Sequence, residues 1–258
     1  MKKLTIIIPA HNEEKRIRTT LDRYSNFFNK NYKNKFEILI IPNGCKDNTV
    51  KIVREYSKKY KFIKYKNIIE PLGDKGKAVI MGFKKANSEL IGFVDADNST
   101  TAEAFFDLVK NIGDYDGIIA SRWIKGSIVE PKQTIKRRIA SRVFNLFVRI
   151  LFGLNLIDTQ CGAKLFKKEA IKKVAPKIGI TKWAFDIDLL YQLKRAGYKV
   201  KEIPTVWKDT PDSKLNLKKV SVEMFLAIIR LRLIYSPFKF IVTMYNKIFP
   251  KVLFRSKK

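Results

Sequence analysis

The sequence predicts an α/β protein: a mostly parallel sheet flanked by helices, followed by a C-terminal amphipathic helical extension. Two observations carry this expectation. Over the first 122 residues, short β-branched runs alternate with helical patterns, the arrangement that covers both faces of a parallel sheet. Beyond residue 215 the strand pattern stops, and a helical stretch follows with ten basic residues and one acid, Glu223.

The elements follow in order. LTIIIPA (4–10), FEILII (36–41), FIKYKN (62–67), LIGFVDA (90–96) and DGIIASR (116–122) have strand composition. The first run follows Met-Lys-Lys like a short signal peptide, but it ends at once in His-Asn-Glu-Glu, as a buried strand does. Asp47 is expected as the N-cap of a helix over 48–60, with Val50, Val53, Tyr56 and Tyr60 inward. Thr100 and Glu103 read as a capping box before Phe105, Leu108, Val109 and Ile112. Residues 132–157 hold six basic side chains and no acid. On a helix, Arg138, Arg142, Asn145 and Arg149 form one cationic stripe there, with Ile139, Val143, Leu146, Phe147 and Ile150 on other faces. A short strand, a helix near 184–196 and a strand over 199–207 follow. In the tail, Phe238, Ile241, Val242, Tyr245, Ile248 and Phe249 oppose Lys239, Thr243, Asn246 and Lys247, the pattern of a helix lying in a membrane interface. No run of 18 apolar residues occurs, so no transmembrane helix is expected.

Composition narrows the chemistry. Of 258 residues, 46% are hydrophobic, enough for a core, which excludes a disordered basic protein. The net charge of +29 is uneven: 24 basic against 16 acidic residues in 1–130, and 29 against 8 in 131–258. The second half is therefore expected to face an anionic partner. A single histidine, His11, excludes multi-histidine metal sites, and Cys45 and Cys161 alone make neither a thiolate zinc site nor a disulfide framework. This cysteine usage implies a reducing, cytoplasmic-side location.

Asp95-Ala96-Asp97 ends an apolar strand-like run. Residues i and i+2 of a strand point the same way, so both carboxylates could meet one ligand. Two hard oxygen donors suit Mg²⁺ or Mn²⁺ bridging a diphosphate, although two solvated aspartates in a turn have the same spacing.

IIIPAHNEE, PNGCKDNT (42–49), PLGDKGKA (71–78), Asp95-Ala96-Asp97 and ASRW (120–123) occur in the order and spacing of a nucleotide-sugar transferase. Together they resemble the family-two inverting glycosyltransferases of the GT-A, Rossmann-like fold. DTQCGAKLF (158–166), WAFDIDLL (183–190) and the run to Ser213-Lys214-Leu215 resemble the dolichyl- and polyprenyl-phosphate glucosyl- and mannosyltransferases among them. The resemblance spans roughly residues 3–215. It implies a GT-A domain over 1–215 and transfer of a hexose from UDP-glucose or GDP-mannose to a polyprenyl phosphate. It also implies a peripheral enzyme at the cytoplasmic membrane face. The basic tail over 216–258 is read from its own amphipathic pattern as membrane-interfacial, with packing on the core or dimerisation as the alternative.

The resemblance assigns Pro9, His11, Glu13, Asn43, Lys75, Asp95, Ala96, Asp97, Ser99, Arg122, Lys208 and Lys214 to the nucleotide sugar. Asp95 and Asp97 are the implied ligands of Mg²⁺ or Mn²⁺. Arg122 is implied near the donor phosphates, and Lys208 and Lys214 in a loop closing over them. Asp188, with Asp186, matches a candidate base. Arg138, Arg142, Arg149 and Lys164 are the expected acceptor cations. One departure is Pro42-Asn43, where the family has paired aspartates. An amide donates as well as accepts, which leaves uracil and guanine both open as the base. Two other classes remain open: a soluble transferase acting on a sugar or protein hydroxyl, and a nucleic-acid-binding module. No zinc finger, RNA-recognition aromatics or basic-region heptads support the latter, so no nucleic-acid partner is expected.

Overall fold

β1 (Leu4–Ala10) is buried along its whole length and lies inside the sheet. The structure is a computed structural model that describes residues 3–69, 73–131, 134–179, 184–208 and 217–248. The remaining strands are β2 (Phe36–Pro42), β3 (Ile63–Tyr65), β4 (Leu90–Phe93), β5 (Gly117–Ser121), β6 (Ile128–Glu130), β7 (Lys164–Lys167), β8 (Val200–Pro204) and β9 (Val206–Lys208). Among the described residues, seven strands form one sheet in the order β3-β2-β1-β4-β7-β5-β8. All its pairs are parallel except those of β7, which runs antiparallel between β4 and β5. β6 and β9 pair separately, in parallel.

The helices are α1 (Ile17–Asn31), α2 (Thr49–Lys59), α3 (Lys75–Lys85), α4 (Ala102–Asn111), α5 (Ile135–Phe152), α6 (Lys168–Val174), α7 (Phe185–Arg195), α8 (Leu217–Ile234) and α9 (Lys239–Ile248). Alternation along β1 divides the core. Leu4, Ile6 and Ile8 pack with residues of α1, α2 and α4, while Ile7 packs with residues of α3, α6 and α7. The second core also contains Val148 and Phe152 of α5 and Ala227, Ile228 and Leu231 of α8. The tail that begins at 216 thus shares a core with the sheet rather than standing apart from it. Position 215 itself lies outside the described residues.

Several local expectations shift. The residue preceding α2 is Asn48, and Asp47 sits one place earlier, yet its Oδ1 still accepts from Thr49 N at 3.0 Å. The inward side of α2 is Thr49, Ile52 and Val53, and Tyr56 and Tyr60 pack partly buried against the same core as expected; Val50 is not part of that core. Thr101, not Thr100, caps α4, accepting from Ala104 N at 3.2 Å. Glu103 is left in the first turn, where its charge complements the helix dipole. β4 stops at Phe93, so Asp95 and Asp97 stand in the turn beyond the strand. The expected strand at 199–207 is two strands, β8 and β9, belonging to different sheets.

α5 inverts the usual surface-helix pattern. Its buried side carries Asn145, Val148 and Phe152, while Ile135, Ile139, Val143, Leu146, Phe147 and Ile150 are exposed. Gly153 ends the helix at φ 61°, a left-handed conformation that glycine adopts without cost.

Candidate active site

The carboxyl ends of β1, β2 and β4 open on one side of the sheet, and a cleft of about 220 Å³ lies there. Pro9 and Ala10 line it from β1, His11 and Glu13 from the turn beyond it, Asn43 from the residue after β2, and Asp95, Ala96 and Asp97 from the turn after β4. Gly73, Asp74, Lys75 and Ala78 complete it from the start of α3.

Local structure holds each piece. Thr20 of α1 donates its hydroxyl to Ala96 O at 2.7 Å, fastening the turn from below. Asp97 Oδ1 accepts from Ser99 N at 2.9 Å, and Asn98 takes φ 59° between them. Ser99 is buried under this turn, and its carbonyl accepts from Lys208 N at 2.7 Å. His11 Nδ1 donates to Asn43 O at 2.7 Å, a tautomer assigned from the carbonyl partner. The ring lies against Gly73, where any added Cβ would collide with it. Asn43 donates Nδ2 to Asp74 O at 2.7 Å. Asp74 also caps α3, accepting from Lys77 N at 3.1 Å.

Charge is concentrated here. Lys75 Nζ lies 2.7 Å from Asp95 Oδ1 and 3.9 Å from Asp186 Oδ2. Burial opposes the charge on Asp95, but Lys75, Lys164 and Arg122 outweigh it and hold the carboxyl below its usual range. Burial and the neighbouring Asp95 carboxylate raise Asp97 above its usual range. Glu13 is raised by burial, against the pull of Arg16, which it binds through both oxygens at 2.7 and 2.9 Å. Burial disfavours the Lys75 ammonium, yet Asp95 and Asp186 overcome it and raise Lys75 above its usual value.

Asp95 and Asp97 fit a hard divalent cation. Both are carboxylates, and Asp97 is short of positive neighbours. A side chain at position 162 would fill the space at Asp95, since a Cβ there would lie 2.5 Å from Asp95 Cγ. Among the described residues no third His, Cys, Asp or Glu joins them, so diphosphate oxygens and water would complete the coordination.

Other expected residues have different surroundings. Arg122 grips buried Asp158 with Nε at 2.7 Å and Nη2 at 2.9 Å, and its backbone N–H donates to the same carboxylate at 2.9 Å. Burial opposes the Arg122 charge, but Asp158 more than offsets it. The guanidinium therefore braces the 158–163 loop, while its field still reaches Asp95. Lys164, expected at the acceptor, is fully buried and pairs with Asp186 Oδ1 at 2.6 Å and Cys161 O at 2.6 Å. An ammonium taken out of water needs such partners, which removes it from the surface. Asp188 is also fully buried: Oδ2 accepts from Gly179 N at 2.9 Å and Oδ1 from the Tyr235 hydroxyl at 2.8 Å. It does not line the cleft. Arg138, Arg142 and Arg149 are exposed along α5, and Arg142 lies 5.9 Å from the Trp123 ring that Arg122 also faces at 5.7 Å. Lys208 is exposed at the end of β9, and Lys214 lies outside the described residues.

Gly73, Asp74, Asp158 and Gly162 were missed as individual residues. Their signal was present, since PLGDKGKA and DTQCGAKLF contain all four.

Comparison with known proteins agrees with this geometry. Residues 5–175 match the family described as Glycosyl transferase family 2. A dolichyl-phosphate beta-glucosyltransferase of Dictyostelium discoideum is 32% identical over 244 residues, covering 90% of this chain and 74% of that protein. The Homo sapiens protein of the same name is 30% identical over 228 residues, covering 83% and 70%. Among solved structures, glucosyl-3-phosphoglycerate synthase from Mycobacterium tuberculosis, with Mn²⁺, UDP and phosphoglyceric acid, is similar with a TM-score of 0.65 at 13% identity, covering 92% and 80%. A Pyrobaculum calidifontis mannosyltransferase with GDP-Man and Mn²⁺ has a TM-score of 0.62 at 16% identity, covering 92% and 65%. These two likenesses carry the GT-A fold alone. The family match over residues 5–175 and the identity of 30% or more to relatives covered over more than two thirds of their length make this protein a glycosyltransferase, a member of family 2.

Proposed function

We propose that the protein transfers glucose from UDP-glucose to dolichyl phosphate, with inversion, as a peripheral enzyme at the cytoplasmic membrane face. The observation that carries this is the adjacency of an anion-handling cleft and an outward-facing apolar helix. Lys75, Asp95 and Asp97 line the cleft. The field of Arg122 reaches Asp95 in that cleft, and Arg122 and Arg142 of α5 both approach the Trp123 ring, at 5.7 and 5.9 Å; Ile135 and Ile150 of α5 are 72% and 69% exposed. A helix with apolar residues outward and arginines along its flank suits a lipid interface bearing anionic headgroups. Phe238, just before α9, and Phe240 and Met244 of α9 are further exposed apolar residues. No helix among the described residues is long and apolar enough to cross a membrane.

Pro9, His11, Glu13, Asn43 and Ala96 would hold the nucleoside. Asp95 and Asp97 would hold Mg²⁺ or Mn²⁺, which when bound offsets charge on the departing diphosphate. Lys75 adds a fixed cation to that region, and Lys208 at the end of β9 and Lys214 are its candidate partners. An acceptor phosphate oxygen forms a bond to the anomeric carbon as the carbon–oxygen bond to the diphosphate breaks, and the electron pair leaves with the nucleotide. Arg138, Arg142 and Arg149 would receive the acceptor phosphate and offset repulsion between the two anions. A phosphate monoester has its second pKa at about 6, so the nucleophile arrives deprotonated and needs no base. The enclosed position of Asp188 supports that economy.

The test is a panel of UDP- and GDP-sugars with dolichyl phosphate in anionic vesicles. Glucose transfer from UDP-glucose, lost in Arg138→Glu/Arg142→Glu while UDP binding persists, is expected. Transfer to a free sugar or protein hydroxyl with no use of dolichyl phosphate would overturn the proposal.

A further inference from the structure

The two aspartates of α7's first turn face opposite ways. Two positions apart on an α-helix is about 200°, and Asp186 and Asp188 bind accordingly on opposite sides. Asp186 engages Lys164 at 2.6 Å and approaches Lys75 at 3.9 Å. Asp188 takes the Tyr235 hydroxyl at 2.8 Å and Gly179 N at 2.9 Å. The turn is thus pinned across its axis, and the roll of α7 is set by both sides together.

Two contacts link α7 to the cleft, Asp186 with Lys75 at 3.9 Å and Phe185 with the first turn of α3. Phe185, the first residue of α7, packs under the first turn of α3 so closely that a Cβ at Gly76 would stand 2.9 Å from its ring. Lys75 is the neighbouring residue, bound to Asp95 at 2.7 Å. On the other side, Tyr235 occupies the corner between α8 and α9. Its ring packs 5.5 Å from Tyr191 of α7, with the Arg195 guanidinium 5.2 Å from its centroid. Phe238 at this corner, and Phe225, Leu226 and Phe240 on the two helices meeting there, are exposed to solvent.

We infer that Asp188 and Tyr235 are positioning residues: their hydrogen bond lets the α8–α9 corner set the roll of α7, and through Asp186 and Phe185 the placement of Lys75 against the donor diphosphate. Seating α8 and α9 on a lipid surface then tightens the donor site. This last step rests on the membrane reading above. The Tyr235 hydroxyl is the joint, because the ring contacts with Tyr191 and Arg195 do not require it.

The experiment uses the full chain and Tyr235→Phe, which removes the hydroxyl and keeps the ring, with Asp188→Asn as the second variant. UDP binding in the presence of Mn²⁺ is measured by calorimetry with and without phosphatidylserine vesicles. Vesicle pelleting and circular dichroism are followed in parallel. A coupling between distant sites is typically worth a factor of about 5 or more. Vesicles are expected to tighten UDP binding by about that factor in the parent chain. Tyr235→Phe should pellet and fold as the parent does but lose the tightening. Retention of the full tightening in a pelleting, folded Tyr235→Phe would overturn the inference. If the parent itself does not pellet, the membrane reading fails separately, and the vesicle-free affinity decides the joint. A loss of about fivefold or more in folded Tyr235→Phe supports it, and an unchanged affinity overturns it.

Discussion

Replacing Gly162 by alanine should disable the donor site while leaving the fold intact. Gly162 passes over Asp95, and a Cβ built there lies 2.5 Å from Asp95 Cγ. Ordinary van der Waals contact begins at 3.4 Å, so the carboxyl must retreat by about 1 Å. Backbone cannot absorb this cheaply, because the loop is held by Arg122 on Asp158 and the turn by Thr20 on Ala96. The carboxyl therefore yields, and its 2.7 Å contact with Lys75 stretches beyond hydrogen-bond range. A misplacement of about 1 Å at a catalytic centre costs on the order of 10²-fold in rate, or about 2.7 kcal/mol of barrier. The assay is kcat/KM for glucose transfer from UDP-glucose to dolichyl phosphate, with Mn²⁺ affinity measured separately by electron paramagnetic resonance. Both should fall, with an unchanged circular dichroism spectrum. A Gly162→Ala enzyme within about threefold of the parent in rate, with parental Mn²⁺ affinity, would refute the argument.

Asp97→Asn removes the carboxylate that burial and Asp95 leave short of positive charge, so turnover should fall at least about 10²-fold. Chelation of the parent enzyme with EDTA should do the same, with Mn²⁺ or Mg²⁺ restoring activity. Lys164→Met leaves Asp186 buried without its 2.6 Å partner, and urea denaturation should show a loss of about 3–5 kcal/mol. The pH dependence of stability should report Asp158. Burial works against its charge, but Arg122 holds its carboxyl below the ordinary 3.8. A carboxyl depressed by folding stabilises fully above its unfolded value, and that stability is lost as pH falls through the folded value. Arg122→Met removes the cause of the depression. Denaturation midpoints followed from pH 6 down to pH 2 should therefore show a steep acid limb in the parent and a flatter one in Arg122→Met.

Much of the site was legible because its residues cluster in short segments at strand ends. Pro9, His11, Glu13, Asn43, Lys75, Asp95, Ala96 and Asp97 were all named from sequence and all line one cleft. The elements carrying them were legible from local pattern too: a near-continuous apolar run such as LTIIIPA suits a strand covered on both faces, and both cores are present. Residue types alone did not distinguish a cation facing a ligand from one facing a buried carboxylate. Lys164 and Arg122 have the composition of phosphate binders, yet their partners, Asp186 and Asp158, lie 22 and 36 positions away in the chain. Asp188 likewise matched a base by motif, and its partner Tyr235 is 47 positions distant.

The sequence by itself determined the alternation of strands and helices over the first 122 residues, the glycine and aspartate turns, and the excess of positive charge in the second half. These depend on local periodicity and on chemistry confined to a few neighbouring residues. Tertiary structure alone decided that β7 inserts antiparallel, that Gly162 closes over Asp95, and that α5 turns its apolar residues outward. A helix's periodicity defines its faces, but which face meets the core depends on the volume left by α7 and α8. Pairing of buried charges obeys the same rule, because the cost of desolvation is met only by whichever opposite charge the fold brings within about 3 Å.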